Sequence, residues 1–155
     1  MSNDLSARAA NSAAIQQRAA EQMAKMGVTP KLIDTLVDTF YARVQCHETL
    51  GLVFGNHIED RWAEHLARMK EFWKALAFKT GNYSGRPVQA HLKVNGISPE
   101  LFPQWLQLFY NTLDDIDASP EAKEWFYNTA ERIAKSLTLS LFYNPALDDP
   151  RRRKE

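Results

Sequence analysis

Apolar residues recur at steps of three and four along most of this chain, which is the spacing of an amphipathic helix. No segment alternates strictly between apolar and polar residues, as a half-buried strand would. The clearest helical face lies in WAEHLARMKEFWKAL, residues 62 to 76, and carries Trp62, His65, Leu66, Met69, Phe72, Trp73 and Leu76. The pattern predicts an all-α protein and places one histidine on a face that should be buried.

Capping residues and prolines predict four substantial helices joined by short turns. One helix begins at Thr29 and Pro30 and another at Ser119, where a capping hydroxyl precedes a proline. The helix of residues 62 to 76 begins near Ile58, after a short aromatic turn, LVF, at residues 52 to 54.

Turn-forming residues predict the remaining boundaries. TGNYSGRP, residues 80 to 87, reads as a surface loop before the short segment VQAHLKV. A third capping signature stands at Ser98 and Pro99, although Pro103 suggests that the regular helix begins only there. Asn144 and Pro145 end the last helix.

The two ends of the chain differ from its middle. Residues 1 to 28 favour helix but have a weak apolar stripe, so they predict an N-terminal extension that is marginally helical or flexible. Residues 29 to 145 predict the folded domain, and residues 146 to 155 a charged, solvated tail.

Composition narrows the class of protein. The chain has 155 residues, enough for one domain with a proper core, and it carries 19 basic and 19 acidic side chains. This balance does not favour nucleic acid as a partner. The single cysteine fits a reducing compartment, and no apolar run reaches the roughly 18 residues that cross a bilayer, so we expect a cytoplasmic protein with no membrane partner.

Two of the four histidines are candidates for chemistry. His47 follows Cys46 directly, so the two side chains diverge and make a poor metal site, and His57 in a probable turn is best explained by solvation or a local hydrogen bond. His65 and His91 remain. The sequence has no zinc-ligand spacing, phosphate-binding loop or nucleophile elbow, which disfavours hydrolase and nucleotide chemistry.

Taken one at a time, these histidines and the nearby aromatic residues are best explained as core. Together they suggest more, because two histidines, Tyr41 and Trp105 lie on separate elements and face one interior. An iron porphyrin needs one imidazole on its proximal side and polar donors that control ligands on its distal side. The Tyr O–H, Trp N–H and His N–H groups can serve as these donors.

Five motifs then resemble the third group of the truncated haemoglobins. They are FYARV (40 to 44), LGLVFGN (50 to 56), WAEHLARMKEFW (62 to 73), YSGRPVQAHL (83 to 92) and FPQWLQLF (102 to 109). The resemblance runs from about residue 30 to residue 144. It implies a shortened globin in which two helix pairs, two over two, sandwich a b-type haem (iron protoporphyrin IX), with residues 29 to 145 as the globin domain.

The resemblance also implies roles for single residues. His91 matches the proximal iron ligand, and Tyr41, His65 and Trp105 match residues on the distal, ligand-binding side. The expected porphyrin-lining residues are Phe40, Phe54, Met69, Phe72 and Trp73, and the expected cations near the propionates are Arg68 and Arg86.

Three functions follow as hypotheses. The first is a haem protein that binds dioxygen or another diatomic gas at a pentacoordinate or weakly hexacoordinate iron, with the distal residues stabilising the ligand. The second is an enzyme that uses the same haem for nitric oxide dioxygenation or peroxide reduction with an external reductase. The third is a helical interaction module without a cofactor, whose aromatic residues are simply core.

Overall fold

The computed structural model describes residues 2 to 143, and these residues form helices and no strands, so the predicted all-α fold is confirmed. The predicted stop at Asn144 and Pro145 and the charged tail lie outside the described residues. The helices are α1 (Ser2–Lys25), α2 (Pro30–Cys46), α3 (Leu50–Ile58), α4 (Trp62–Phe78), α5 (Pro87–Leu92), α6 (Leu101–Asp115) and α7 (Pro120–Phe142).

Three predicted boundaries were wrong. The segment LVF is not a turn but the middle of α3, which Leu50 and Ile58 hold in place by burial at its two ends. The next helix therefore begins at residue 62, after Glu59 takes a positive φ of 58° and ends α3. Helix α6 begins two residues before Pro103, because a proline in the first turn replaces an N–H that has no partner within the helix.

A tight corner joins α2 to α3. His47 ends α2, and its Nδ1 accepts hydrogen bonds from the backbone N–H groups of Thr49 and Leu50, at 3.2 and 3.1 Å. A side chain at Gly51 would place its Cβ 2.8 Å from the carbonyl oxygen of Gln45, so the corner requires glycine. His47 is thus a structural residue of the turn.

Two helix pairs, α2 with α4 and α6 with α7, enclose the core. Helix α2 packs against α4 and α6, and α6 packs against α7. The centre is apolar, and the largest side chains that are fully buried there are Phe40, Phe109 and Phe126. Ion pairs from Lys70 to Asp38 (2.8 Å) and from Lys74 to Asp34 (2.9 Å) join α4 to α2 at the surface, where such pairs contribute little.

Helix α1 is continuous, but only its C-terminal half contacts the rest of the protein. Residues 3 to 15 are exposed, whereas Ala19 is buried and Met23 packs against the core, with α4 as the neighbouring helix. Val28, just after α1, is also fully buried. The apolar core therefore begins upstream of residue 29, while the division of the chain into domains stays a prediction.

Hydrogen bonds of Ser119 link the start of α7 to the residue that follows α1. Its hydroxyl accepts a hydrogen bond from the N–H of Ala122 at 3.1 Å and donates one to the carbonyl of Met26 at 2.6 Å. Thr29 caps α2 in the same way, through the N–H of Leu32 at 3.1 Å, but its hydroxyl makes no such link between distant segments.

We expect Ser119→Ala to lower the free energy of unfolding by about 2 kcal/mol, because it removes a cap and a hydrogen bond to a carbonyl that stays half-buried. Thr29→Ala, which removes only a cap, should cost about 1 kcal/mol. Urea denaturation of both variants measures the difference. An equal or smaller loss in Ser119→Ala would show that the bond to Met26 contributes no net stability.

Candidate functional site

A cavity of about 510 Å³ lies between the two helix pairs. Helices α2, α3 and α4 form one part of its wall, and α5, α6, α7 and the loop before α5 form the rest. Ten of the eleven predicted site residues line it: Tyr41, Phe54, His65, Arg68, Met69, Phe72, Trp73, Arg86, His91 and Trp105. The volume is in the range of cavities that hold a cofactor or a small ligand.

Phe40 is the exception, because it lies in the core behind the wall. It is 2% exposed, and its ring packs edge-on against Tyr41 and Trp105, with ring centroids 5.0 and 5.6 Å away. Two cavity-lining residues therefore rest on Phe40. Its contribution is to fix their positions, and no contact with a bound molecule is needed for that.

The short helix α5 presents His91 to the cavity. The imidazole Nδ1 lies 2.6 Å from the carbonyl oxygen of Pro87, one turn earlier. A carbonyl only accepts, so Nδ1 carries the proton and Nε2 of the neutral ring keeps its lone pair. An imidazole with this tautomer fixed by a backbone carbonyl is the usual form of a histidine metal ligand.

Aromatic rings surround His65 on another part of the wall. Its ring centroid lies 4.8 Å from that of Tyr41, 6.0 Å from Trp62 and 6.3 Å from Phe54. Its Nε2 is buried and has no hydrogen-bond partner among residues 2 to 143. A buried polar atom without a partner is unfavourable, so this nitrogen is available to a ligand within the cavity.

Burial sets the protonation states of Tyr41 and His65. Burial raises the pKa of Tyr41 well above its ordinary value, so the phenol keeps its proton and remains a hydrogen-bond donor. Burial, together with the charge of Arg68, lowers the pKa of His65 to about 4, so this imidazole is neutral near pH 7. The cavity thus offers neutral donors and a free imidazole lone pair.

Several residues that line the cavity were not predicted. His57 is one of them: it lies in the last turn of α3, half-buried, and faces the cavity, so its assignment to a solvated turn was wrong. Tyr83 is another, and its ring packs edge-on against Phe72 with centroids 5.1 Å apart. Helix α7 adds Ile133 and Leu137 to the lining of the cavity.

Protein side chains alone do not form a metal site here. Residues 2 to 143 contain no cluster of three or more His, Cys, Asp or Glu residues suited to a metal ion. A metal ion in the cavity would therefore need a cofactor to supply most of its ligands, and His91 could supply one more through a ring nitrogen. A planar metal cofactor meets this condition, and the large apolar side chains of Phe72 and Trp73 line the cavity that would hold it.

Within residues 2 to 143, no helix combines the length and the apolar character that crossing a bilayer requires.

Comparison with known proteins agrees with the geometry, although no protein-family model matches the chain. The chain is 30% identical over 118 residues to a group 3 truncated haemoglobin of Campylobacter jejuni, with 74% of this chain and 92% of that protein covered. It also matches the crystal structure of a group III truncated haemoglobin from Campylobacter jejuni, with a TM-score of 0.69, 30% identity, and 75% and 94% of the two chains covered. This chain therefore belongs to the group III truncated haemoglobins.

Proposed function

We propose that the protein binds a b-type haem in the central cavity, that His91 would hold its iron, and that the protein reversibly binds dioxygen or another diatomic gas. The observation that supports this most directly is the fixed tautomer of His91, whose free Nε2 belongs to a residue of the cavity wall. The family membership of the chain supports the same cofactor.

The side chains present fit such a cofactor. When bound, the haem supplies an iron atom at which a diatomic molecule can coordinate, and the residues hold and shield that site. Met69, Phe72 and Trp73 offer apolar contact to the macrocycle. Arg68 and Arg86 also line the cavity but are exposed, where their charges can meet propionate groups and water together.

Tyr41, Trp105 and His65 would act on the diatomic ligand. The Tyr41 O–H keeps its proton, the Trp105 indole can only donate, and His65 is neutral with a free Nε2. Hydrogen bonds are stronger in a cavity sheltered from water than in solution. Several donors around one ligand slow its escape, which suits scavenging or sensing better than bulk transport.

Replacing His91 tests the axial ligand. We expect His91→Gly to lose the Soret and visible bands of a haem with one axial histidine, and added imidazole to restore them. His47→Ala is the matched control, because the side chain of that histidine accepts hydrogen bonds from Thr49 and Leu50 at the start of α3 and does not line the cavity, so the spectrum should stay unchanged. Identical spectra for His91→Gly and the native protein, with full haem content, would exclude His91 as the ligand.

Removing single donors tests the distal residues. Tyr41→Phe and Trp105→Phe should each raise the dissociation rate of dioxygen about tenfold, the kinetic equivalent of one hydrogen bond of about 1.4 kcal/mol. Flash photolysis and stopped-flow mixing measure this rate. Tyr110→Phe makes the same chemical change on an exposed tyrosine and should have no effect. Native rates in both cavity variants would remove the proposed distal role.

The neutral state of His65 predicts a pH dependence of stability in the haem-free protein. Its pKa is about 4 in the folded state and near 6.5 in the unfolded chain, so between these values the unfolded state binds the extra proton. The free energy of unfolding should therefore fall as the pH decreases from 6.5 to 4. In His65→Gln this fall should be smaller, as urea denaturation at several pH values would show; the same slope in both proteins would contradict it.

A further inference from the structure

Three aromatic rings form a stack that begins at the cavity. Trp105 and Phe109 are nearly parallel, with centroids 5.3 Å apart and planes 13° apart, and Phe109 and Trp73 follow at 5.5 Å and 15°. Trp105 and Trp73 both line the cavity, whereas Phe109 is 1% exposed and lies within the core. The stack therefore connects two parts of the cavity wall through the interior.

A fourth ring extends this stack to the surface. Trp125, on α7, lies 6.2 Å from Trp73 between centroids, at an interplanar angle of 67°. Trp73 is 4% exposed, but Trp125 is only partly buried and reaches solvent. The rings Trp105, Phe109, Trp73 and Trp125 thus form a continuous row, called here the aromatic row, from the cavity to the partly exposed Trp125.

The composition of the aromatic row suits electron transfer. Indole is among the side chains that lose an electron most easily, and the resulting radical cation releases its N–H proton. Three of the four tryptophans of the chain lie in the row, and the only other member is the phenylalanine in contact with two of them. Packing alone requires large apolar rings, but it does not require that most of them be oxidisable.

We propose that Trp105, Trp73 and Trp125 relay electrons to the cavity from a dissolved reductant that reaches the partly exposed Trp125. The proposal rests on the proposed haem, which would be the electron acceptor. The oxidant is a hydroperoxide, and the reductant is a small one-electron donor of the phenol or enediol class, which can reach the exposed edge of Trp125 without a docked protein.

Electrons and protons balance in this relay. Reduction of one hydrogen peroxide to two water molecules consumes two electrons and two protons. Trp73 or Trp105 would give each electron to the oxidant held in the cavity, Trp125 would replace that electron, and Trp125 would release its indole proton to solvent. One electron from the reductant and one proton from water restore Trp125. Two such cycles oxidise two reductant molecules by one electron each.

The experiment treats the ferric, haem-loaded protein with one equivalent of hydrogen peroxide and no added reductant. Rapid freezing and electron paramagnetic resonance should detect an organic radical whose line shape changes when the tryptophans carry deuterated indole. Peptide mapping by mass spectrometry should find added oxygen at Trp125. In Trp73→Phe this oxidation should be lost although Trp125 is intact, and in Trp125→Phe it should move inward to Trp73 or Trp105.

Tyr127→Phe is the matched control. Tyr127 is also on α7, but among residues 2 to 143 its ring pairs with that of Tyr110 at 4.7 Å and does not pack against the rings of the aromatic row. This variant should behave like the native protein. Native levels of oxidation at Trp125 in Trp73→Phe, or a native protein without a tryptophan radical, would overturn the relay.

The Soret band recorded before peroxide is added separates the two proposals. A protein that takes up haem but fails these tests refutes the relay alone. A protein that takes up no haem refutes the proposed cofactor, and the relay with it.

Discussion

The hydrogen bond from His91 Nδ1 to the Pro87 carbonyl is the contact on which the proposed chemistry depends. Helix α5 has six residues, none of them buried, and among the described elements it packs mainly on α7. So short a helix has little stability of its own. The imidazole is oriented because the donor and acceptor lie one turn apart on the same helix, and because that helix packs on α7.

The opposite side of the cavity is built by longer and better buried helices. Tyr41 extends from α2, whose inner face is almost completely buried, and Phe40 holds both Tyr41 and Trp105 from the core side. These donors are therefore rigid. The unpartnered Nε2 of His65 lowers the stability of the haem-free protein, and this loss is compensated only when a molecule in the cavity binds that nitrogen.

Helical periodicity and capping residues predicted most of the long helices, and the family resemblance assigned the eleven site residues, ten of which line one cavity. The predictions were wrong where contacts between distant residues determine the structure. The segment around Gly51 and Gly55 was predicted as a turn, although burial of its flanking residues makes it helical, and this error also hid His57. Phe40 belongs to the buried face of α2, but periodicity cannot show whether a buried ring contacts a cavity or another side chain.

The exposed half of α1 changes how the molecule moves in solution. At 1.5 Å per residue its 24 residues form a rod about 36 Å long, and the exposed residues 3 to 15 account for roughly 20 Å of that length. A rod of this length increases the rotational friction of the protein about the axes perpendicular to it. The protein should therefore rotate anisotropically, with a larger hydrodynamic radius than a sphere of its mass.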